Sequence, residues 1–396
     1  MSYLRHISTR RLLALFAAVL AVLGGSAAAI AIAAGGSGPT PPPKPLAQAV
    51  HDALAAPAVD GVTARISFTN HLVDAASLQG SDPLLTGAKG RLWATGDKLR
   101  LELQASSADG RAGDVQVLLN GDQLTVIESG TNTVYRAKLP QDKKQNANEP
   151  VPSLARIQSV LTHLTEKATL SGAQPSDVAG RPAYTVRITP RHDGGLLGGA
   201  EVAWDAEHGV PLRAAVYANG AADPVLELKA TDIAFGKVAA SDLAIPEPAG
   251  AHVVDLNPPA AGNGTDPKQA DVTGLPAVQA KVGFTVVAPD ALVGLPRKEV
   301  KLVELDGTPG ALVTYGQGLG GIAVLESPSK AQPQTQQKGG DGGGGLSLPK
   351  ISINGASGQE LDTALGTVVR FDRGGVGYIV AGSVPPTAAE AAARGL

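Results

Sequence analysis

Leu99-Arg-Leu-Glu-Leu-Gln104 and Asp114-Val-Gln-Val-Leu-Leu-Asn-Gly-Asp-Gln-Leu-Thr-Val126 are the two runs that decide the fold of this chain. In both runs apolar and polar residues alternate, which places successive side chains on opposite faces of an extended strand. Asn120-Gly121, between two alternating runs, is a strong signal for a β-hairpin. We therefore predict an antiparallel meander from Gly90 to Arg136, with one buried face and one face in water.

The composition narrows both the fold class and the partners. At 396 residues, with 43% hydrophobic and 17% charged residues, the chain has the length and core-forming capacity of about two globular domains. Aromatic residues make up only 3% and the net charge is -3, which argues against a nucleic-acid-binding surface. Cysteine is absent, so disulfides, thiolate metal ligands, a cysteine nucleophile and a lipid-modified N-terminal cysteine are all excluded.

The N-terminus has the pattern of a membrane anchor. Residues 1–11 carry three arginines and residues 12–34 carry no charge, which is long enough to span a bilayer. Basic residues before the span predict a cytoplasmic stub and an extracytoplasmic location for all that follows. The alternative is a signal peptide cleaved near Ala27-Ala28-Ala29, after which the protein is secreted.

A first domain is predicted over residues 45–255, behind a Gly/Pro linker at 35–44. Apolar residues recur at helical spacing after Pro45 and again after Ser153, a plausible N-cap. The two-residue period returns from Ala168 onward, and together with the meander it indicates about nine or ten strands.

A second, smaller β-rich domain is predicted over residues 277–396, after a linker at 256–276. Its first candidate strand is Phe284–Val287, and an alanine-rich helix ends it. Residues 327–346 are rich in Gln, Lys and Gly, a composition typical of a disordered loop.

The ratio of strands to helices in the first domain suggests an uncovered sheet face. A helix is about 10 Å wide and strands lie about 4.8 Å apart, so two helices cover roughly four strands. A large antiparallel sheet can instead curl into a half-barrel. The predicted fold class is therefore mainly β (α+β): a curved antiparallel half-barrel with short helices in its mouth, enclosing an apolar cavity. A curled sheet with a filled core and no ligand is the alternative.

The residues that share the inferred buried face, or that stand near the cavity mouth, are the candidate ligand contacts. Each of them could equally serve only to pack the core. They are Trp93, Leu101, Leu103, Val117, Val126, Val186, Trp204, Val216 and Leu228. On the polar face, Arg100 and Arg136 could meet an anionic headgroup or simply face solvent.

Two groups of segments carry a resemblance to known families. Gly90-Arg-Leu-Trp93 with Leu99–Leu103, and Asn120–Leu124 with Asn132–Arg136, resemble the early strands of the LolA/LolB lipoprotein-carrier superfamily. Later segments are closer to the MucB/RseB-like periplasmic regulators of sigma factors, namely Val178–Arg187, Val202–Asp205, Gly209–Arg213 and Thr231–Phe235. The resemblance implies a half-barrel that binds acyl chains or lipidated protein.

The second domain resembles the small domain of Gram-positive envelope proteins of the sigma-regulator type. Gly283–Pro289 and Tyr378–Gly382 carry this match. A departure from the carrier family is the predicted membrane tether, because free carriers are soluble shuttles.

No pattern of catalytic residues stands out, and we predict that the protein is not an enzyme and holds no metal or cofactor. The histidines are dispersed, and there is no Gly-x-Ser-x-Gly elbow. Gly316-Gln-Gly-Leu-Gly-Gly321 matches the dinucleotide pattern, but it lies between two predicted strands and not before a helix. We interpret it as a hairpin turn.

Two functions follow as hypotheses. The first is a membrane-anchored, extracytoplasmic carrier or chaperone for lipid or lipoprotein. The second is an envelope-stress sensor or regulator whose partner is an anti-sigma factor or another membrane protein. A dry apolar cavity would favour the first, whereas a filled core with an exposed apolar patch would favour the second.

Overall fold

A computed structural model describes residues 38–73, 87–96, 98–105, 114–138, 152–166, 168–191, 194–255, 272–305, 308–329 and 348–396. These form two compact units, of which unit 1 is built almost wholly from residues up to Asp255 and unit 2 mainly from residues after Val272.

Several sequence predictions lie outside the described residues. They are the cytoplasmic stub at 1–11, the span at 12–34, most of the linker at 256–276 and most of the loop at 327–346. In the part of the chain that the structure describes, no helix is both long and apolar enough to cross a membrane.

Unit 1 is a single large sheet with two α-helices and a short 3-10 helix (Ala240–Leu243), counted over its described residues. The helices are α1 (Leu46–Ala55) and α2 (Leu154–Thr165). The strands are β1 (Val62–Asn70), β2 (Ala88–Thr95), β3 (Lys98–Ala105), β4 (Asp114–Asn120), β5 (Gln123–Glu128), β6 (Thr133–Lys138), β7 (Ala168–Leu170), β8 (Gln174–Val178), β9 (Arg181–Pro190), β10 (Leu197–Asp205), β11 (Pro211–Ala218), β12 (Leu226–Phe235) and β13 (His252–Asp255).

The sheet is a curled antiparallel half-barrel. Its strand order is β13-β6-β5-β4-β3-β2-β1-β12-β11-β10-β9-β7, with β8 also paired to β9. Strand β13 pairs with β6 in parallel, whereas the pairings along β1 to β6, of β12 with β1 and β11, and of β9 with β7, β8 and β10 are antiparallel. The path ends at β13 and β7 without joining them, so the described strands do not close a barrel.

The predicted meander is confirmed as β2 to β6. Asn120 pairs with Gln123 across a two-residue turn, and Gly121 in that turn has φ 65°, a conformation that glycine adopts without strain. The predicted N-cap of α2 is also present, because the Ser153 hydroxyl accepts a hydrogen bond from the Arg156 N–H at 3.3 Å.

The face predicted to be in water is only partly so. Ile127 and Val134 point to that face and are 3% and 1% exposed. The segment after β12 crosses it, since the Asp242 carbonyl accepts from Arg100 and the Glu247 carboxylate pairs with Arg136. This crossing depends on residues more than a hundred positions apart, which is why strand periodicity did not indicate it.

A buried carboxylate fixes the turn between β10 and β11. Asp205 is fully buried, accepts from Arg181 Nε at 2.7 Å, and accepts from the backbone N–H groups of Glu207 and His208. In the same turn Gly209 has φ 67°, and a Cβ there would lie 2.3 Å from the carbonyl oxygen of Ala53 in α1. Only glycine therefore lets α1 approach the turn this closely.

Asp205→Asn is expected to lower the free energy of unfolding of unit 1 by about 3 kcal/mol at neutral pH, because Arg181 loses its buried counter-charge. Burial alone would raise the pKa of Asp205, but Arg181 and the N–H groups of His208 and Glu207 hold the pKa below its ordinary value of 3.8. The stabilisation is therefore complete above that value and is lost as the pH falls through the lowered pKa.

Chemical denaturation followed by tryptophan fluorescence measures this, because both tryptophans of the chain, Trp93 and Trp204, lie in unit 1. The difference in free energy of unfolding between wild type and Asp205→Asn should become smaller below about pH 4. An equal gap at neutral and acid pH would contradict the role given to the ionised carboxylate.

Unit 2 is a second antiparallel sheet, in the order β14-β15-β16-β17-β21-β20-β19-β18. Its helices are α3 (Leu275–Gln279) and α4 (Pro386–Arg394). Its strands are β14 (Ala291–Leu292), β15 (Leu295–Leu305), β16 (Thr308–Tyr315), β17 (Ile322–Pro328), β18 (Lys350–Ile353), β19 (Ala356–Thr363), β20 (Gly366–Arg373) and β21 (Val376–Gly382). Three alanines of α4 pack into its core with Val369 and Val380.

In unit 2 one predicted strand is absent and one observed strand was not predicted, whereas the alanine-rich helix and one hairpin connection are confirmed. Phe284–Val287 is not a strand, because the segment pairs with none of the described strands. Strand β19 was missed, since its polar residues include Gln359 and Glu360. The Gly316–Gly321 segment joins the antiparallel strands β16 and β17, so it is the predicted hairpin connection and does not precede a helix N-terminus of the dinucleotide-binding kind.

Candidate functional site

The candidate site is one face of the unit 1 sheet, which we call the inner face. In the meander its central row runs from Leu92 through Leu101 and Val117 to Val126, with each residue directly opposite the next. Facing residues in neighbouring strands share one side of the sheet. The row is therefore a continuous apolar band across four strands.

The inner face continues through the middle of the sheet. Phe68 in β1 lies opposite Leu228 in β12, and Leu228 lies opposite Ala214 in β11. Next to them, Leu226 lies opposite Val216. All five side chains are buried.

The residues of the opposite face, the outer face, confirm this assignment in β9 to β12. Arg187 and Glu201 form an ion pair at 3.0 Å, and Arg213 pairs with both Glu201 and Glu227. Because side chains alternate along a strand, their neighbours Val186 and Val202 point to the inner face. Helix α1 covers this end, where Ala49 and Ala53 pack with Tyr184, Val186 and Trp204.

The structure brings eight of the nine predicted contact residues to the inner face and leaves one outside it. The eight are Leu101, Leu103, Val117, Val126, Val186, Trp204, Val216 and Leu228. Trp93 lies opposite Arg100, one residue out of phase with Leu92, and thus on the outer face. Whether any of the nine contacts a ligand stays a prediction.

Burial divides the inner face into two regions. Six of the eight residues are buried, whereas Val117 and Val126 are only half-buried. Leu124 and Tyr135, beside them in β5 and β6, are also half-buried and were not singled out from the sequence, although strand alternation places them on this face. We call Val117, Leu124, Val126 and Tyr135 the open patch.

Helix α2 carries apolar side chains that the described structure leaves largely uncovered. Leu154, Val160 and Leu164 are 40%, 60% and 39% exposed, and of the helix only Ile157 is buried. At 100° per residue these positions fall on one stripe of the helix. The amphipathic pattern predicted this helix correctly, but most of its apolar stripe does not reach the core.

The residues that precede α1 are held to the sheet by polar contacts. The Tyr184 hydroxyl donates to the Pro42 carbonyl at 2.7 Å, and Lys44 pairs with Asp52 at 2.7 Å above the Tyr184 ring. The hydrogen bond from Lys44 lowers the pKa of the Asp52 carboxyl and raises that of Lys44. These contacts fix α1 over the buried region of the inner face. The open patch lies toward the opposite end of the sheet, in strands β4 to β6.

The two arginines proposed as headgroup contacts bond within the chain. Arg100 pairs with Glu102, donates to the Asp242 carbonyl and lies 5.0 Å from the Trp93 ring centroid. Arg136 pairs with Glu247 at 2.5 Å. Both lie on the outer face, away from the apolar band. Among the described residues, no three His, Cys, Asp or Glu side chains are grouped so that they could hold a metal ion.

Comparison with solved structures finds several similar chains. A chain of the Pseudomonas aeruginosa MucA/MucB complex is 19% identical, with 88% of this chain and 94% of that chain covered, at a TM-score of 0.38. A LolA superfamily protein from Nitrosomonas europaea is 12% identical over 50% of this chain and 98% of that one, at a TM-score of 0.22. A conserved protein from Thermus thermophilus is 13% identical, with 53% of this chain and 96% of that chain covered, at a TM-score of 0.31.

These matches include the two groups that the sequence resemblance named, MucB and the LolA superfamily. No family model matches the sequence. No curated protein matches it either.

Ile157→Ala is expected to lower the free energy of unfolding of unit 1 by about 2–4 kcal/mol, because it empties a buried site. Val160→Ser, three residues along the same helix, should change the free energy by no more than about 0.5 kcal/mol, because the valine is mostly in solvent. Denaturation followed by tryptophan fluorescence compares the pair directly. A loss at Val160 as large as that at Ile157 would mean that the apolar stripe is packed in solution.

Proposed function

We propose that the protein binds lipid or lipoprotein on the inner face of unit 1, as a carrier or chaperone held at the outer side of the membrane. The observation that carries the proposal is the open patch, a mainly apolar surface that continues the buried core of the half-barrel yet is only half-buried. The proposed role is binding and not catalysis.

The chemistry of the open patch suits an acyl chain. Val117, Leu124 and Val126 offer no hydrogen-bonding group, so an alkyl chain can cover them without leaving a polar atom unpaired. Each methylene buried there contributes about 0.8 kcal/mol. The uncovered stripe of α2 provides a second apolar surface in the same unit, which a long chain or a lipidated peptide could also use.

The membrane anchor is part of this proposal and rests on the sequence alone. Residues 12–34 would hold unit 1 and unit 2 outside the cytoplasm, next to the lipids that the open patch would bind. A tethered protein would pass its ligand to a neighbour instead of shuttling it over distance.

A second candidate function is a sensor or regulator that binds an anti-sigma factor or another envelope protein. The stripe of Leu154, Val160 and Leu164 favours it, because an amphipathic helix with exposed anchors is a common docking element for a protein partner. The MucB/RseB resemblance of residues 178–235 points in the same direction.

Native mass spectrometry of residues 41–396, purified from a host in which they meet the membrane, tests the first proposal. We expect a bound mass that solvent extraction identifies as lipid. Val117→Glu should abolish it, because a carboxylate in the open patch must be desolvated against an alkyl chain. Leu118→Glu is the matched control, since it adds the same charge to the outer face of the same strand, opposite Arg100.

A lipid-free wild type that is folded would contradict the proposal. Equal lipid on wild type and on folded Val117→Glu would also contradict it, because binding would then lie elsewhere. A stoichiometric co-purified protein that is lost in Val160→Ser, but kept in Val117→Glu, would favour the regulator.

A further inference from the structure

A segment of unit 2 crosses its core without joining the sheet. We call Val282–Asp290 the strap, which joins the region after α3 to β14. Val282 and Val286 are buried in the core of unit 2. Between residues 283 and 289 of the described chain, the backbone hydrogen bonds run to side chains and not to a neighbouring strand.

Three side chains hold the strap. The Gln279 amide donates to the Phe284 carbonyl at 2.6 Å and accepts from the Val286 N–H at 2.8 Å. Arg297 donates to the Ala288 carbonyl and pairs with Asp290 at 2.7 Å. The third is Glu326 in β17, whose Oε2 accepts from the Val287 N–H at 2.9 Å. Glu326 is the carboxyl among these three side chains, so its charge depends on its protonation.

Glu326 is completely buried, and its second oxygen has no partner. Glu326 Oε1 and the hydroxyl of Tyr315 in β16 are both buried without a hydrogen bond among the described residues. Tyr378 in β21 lies directly opposite Glu326. Few buried polar atoms are left unpaired in folded proteins, so this pair of atoms calls for a physical explanation.

The charged groups near Glu326 are engaged elsewhere. Arg297 on β15 is paired with Asp290 of the strap, and Arg373 on β20 lies over the rings of Phe371 and Tyr378. Helix α4 contributes alanines to this core. Burial raises the pKa of Glu326 to about 7, although the hydrogen bond from Val287 opposes the rise, and burial raises the pKa of Tyr315 to about 12. The tyrosine is therefore neutral throughout the range in which the glutamate titrates.

We propose that Glu326 is a pH-operated latch: as a neutral acid it holds the strap closed, and its ionisation favours release of the strap. Among the described residues, an ionised Glu326 is a buried charge with one N–H donor and no free cation beside it, and water must reach it to lower its energy. The sheet strands on either side are fixed by backbone ladders, so the strap is the element that can move aside.

The direction follows from linkage. In the closed state the pKa of Glu326 is raised, and in the open state it has the ordinary value of 4.5. The closed state is therefore most stable relative to the open state below pH 4.5, and this relative stability decreases as the pH rises to about 7. Above the raised pKa Glu326 is ionised in both states, so the relative stability of the closed state no longer changes with pH. The opening equilibrium of the strap should therefore increase by roughly 100-fold between about pH 5 and pH 8, because each unit of pKa difference is worth tenfold.

Hydrogen exchange of the full chain tests the latch, with exchange times scaled for the chemical rate at each pH. We expect the protection of peptides that cover the strap to fall by roughly 100-fold between about pH 5 and pH 8, while peptides from β16 and β17 keep theirs. Glu326→Gln, a neutral side chain of the same shape, should give the strap a pH-independent protection. Glu299→Gln, at an exposed position in β15, should behave as the wild type.

Strap protection that does not change with pH in the wild type would overturn the proposal. So would the same pH dependence in folded Glu326→Gln. If that variant does not fold, carbon NMR of wild-type protein with labelled glutamate decides: one carboxyl must titrate far above 4.5 together with the Val287 amide, and titration of every glutamate near 4.5 would refute the latch.

Discussion

The two-residue period of the unit 1 strands is the constraint on which the account depends. Alternation sends one apolar set of side chains to the inner face in strands β2 to β5 and again in β9, β11 and β12. Thirteen described strands then present far more apolar surface than α1 and α2 can cover. Curling buries the middle of the face, and α1 covers the end at β9 and β10. The open patch is what remains.

Charge reinforces the same division. The ion pairs of the sheet lie on the outer face, and they involve Arg187, Glu201, Arg213 and Glu227 at one end and Arg100 and Arg136 in the meander. The inner row from Leu92 to Val126 contains no ionisable group. Slipping one strand by a single residue would bring these charges into the apolar band, so the pairs also help to fix the register. A surface this free of charge suits the apolar ligand that we propose.

The sequence predicted what depends on local pattern and missed what depends on distant residues. Asn120-Gly121 and the alternation around it predicted the meander, and the alternation within each strand predicted the shared face of eight contact residues. Leu92 and Trp93 are both apolar, and only the register with Arg100 shows which of them points outward. The strap has the pattern of a strand, but no sequence signal shows that it lacks a partner. Val160 fits the helical stripe, although it lies mostly in solvent.

The most direct test of the central claim is methyl NMR of unit 1 in the presence of a fatty acid that carries a nitroxide spin label. If the inner face binds an acyl chain, the methyl signals of Leu101, Val117 and Val126 should broaden. Those of Leu118, Ile127 and Val134, on the outer face of the same meander, should broaden much less, because the spin label lies further from them. Broadening of the outer set alone, of both sets equally, or of neither would contradict the claim that the inner face is the binding surface.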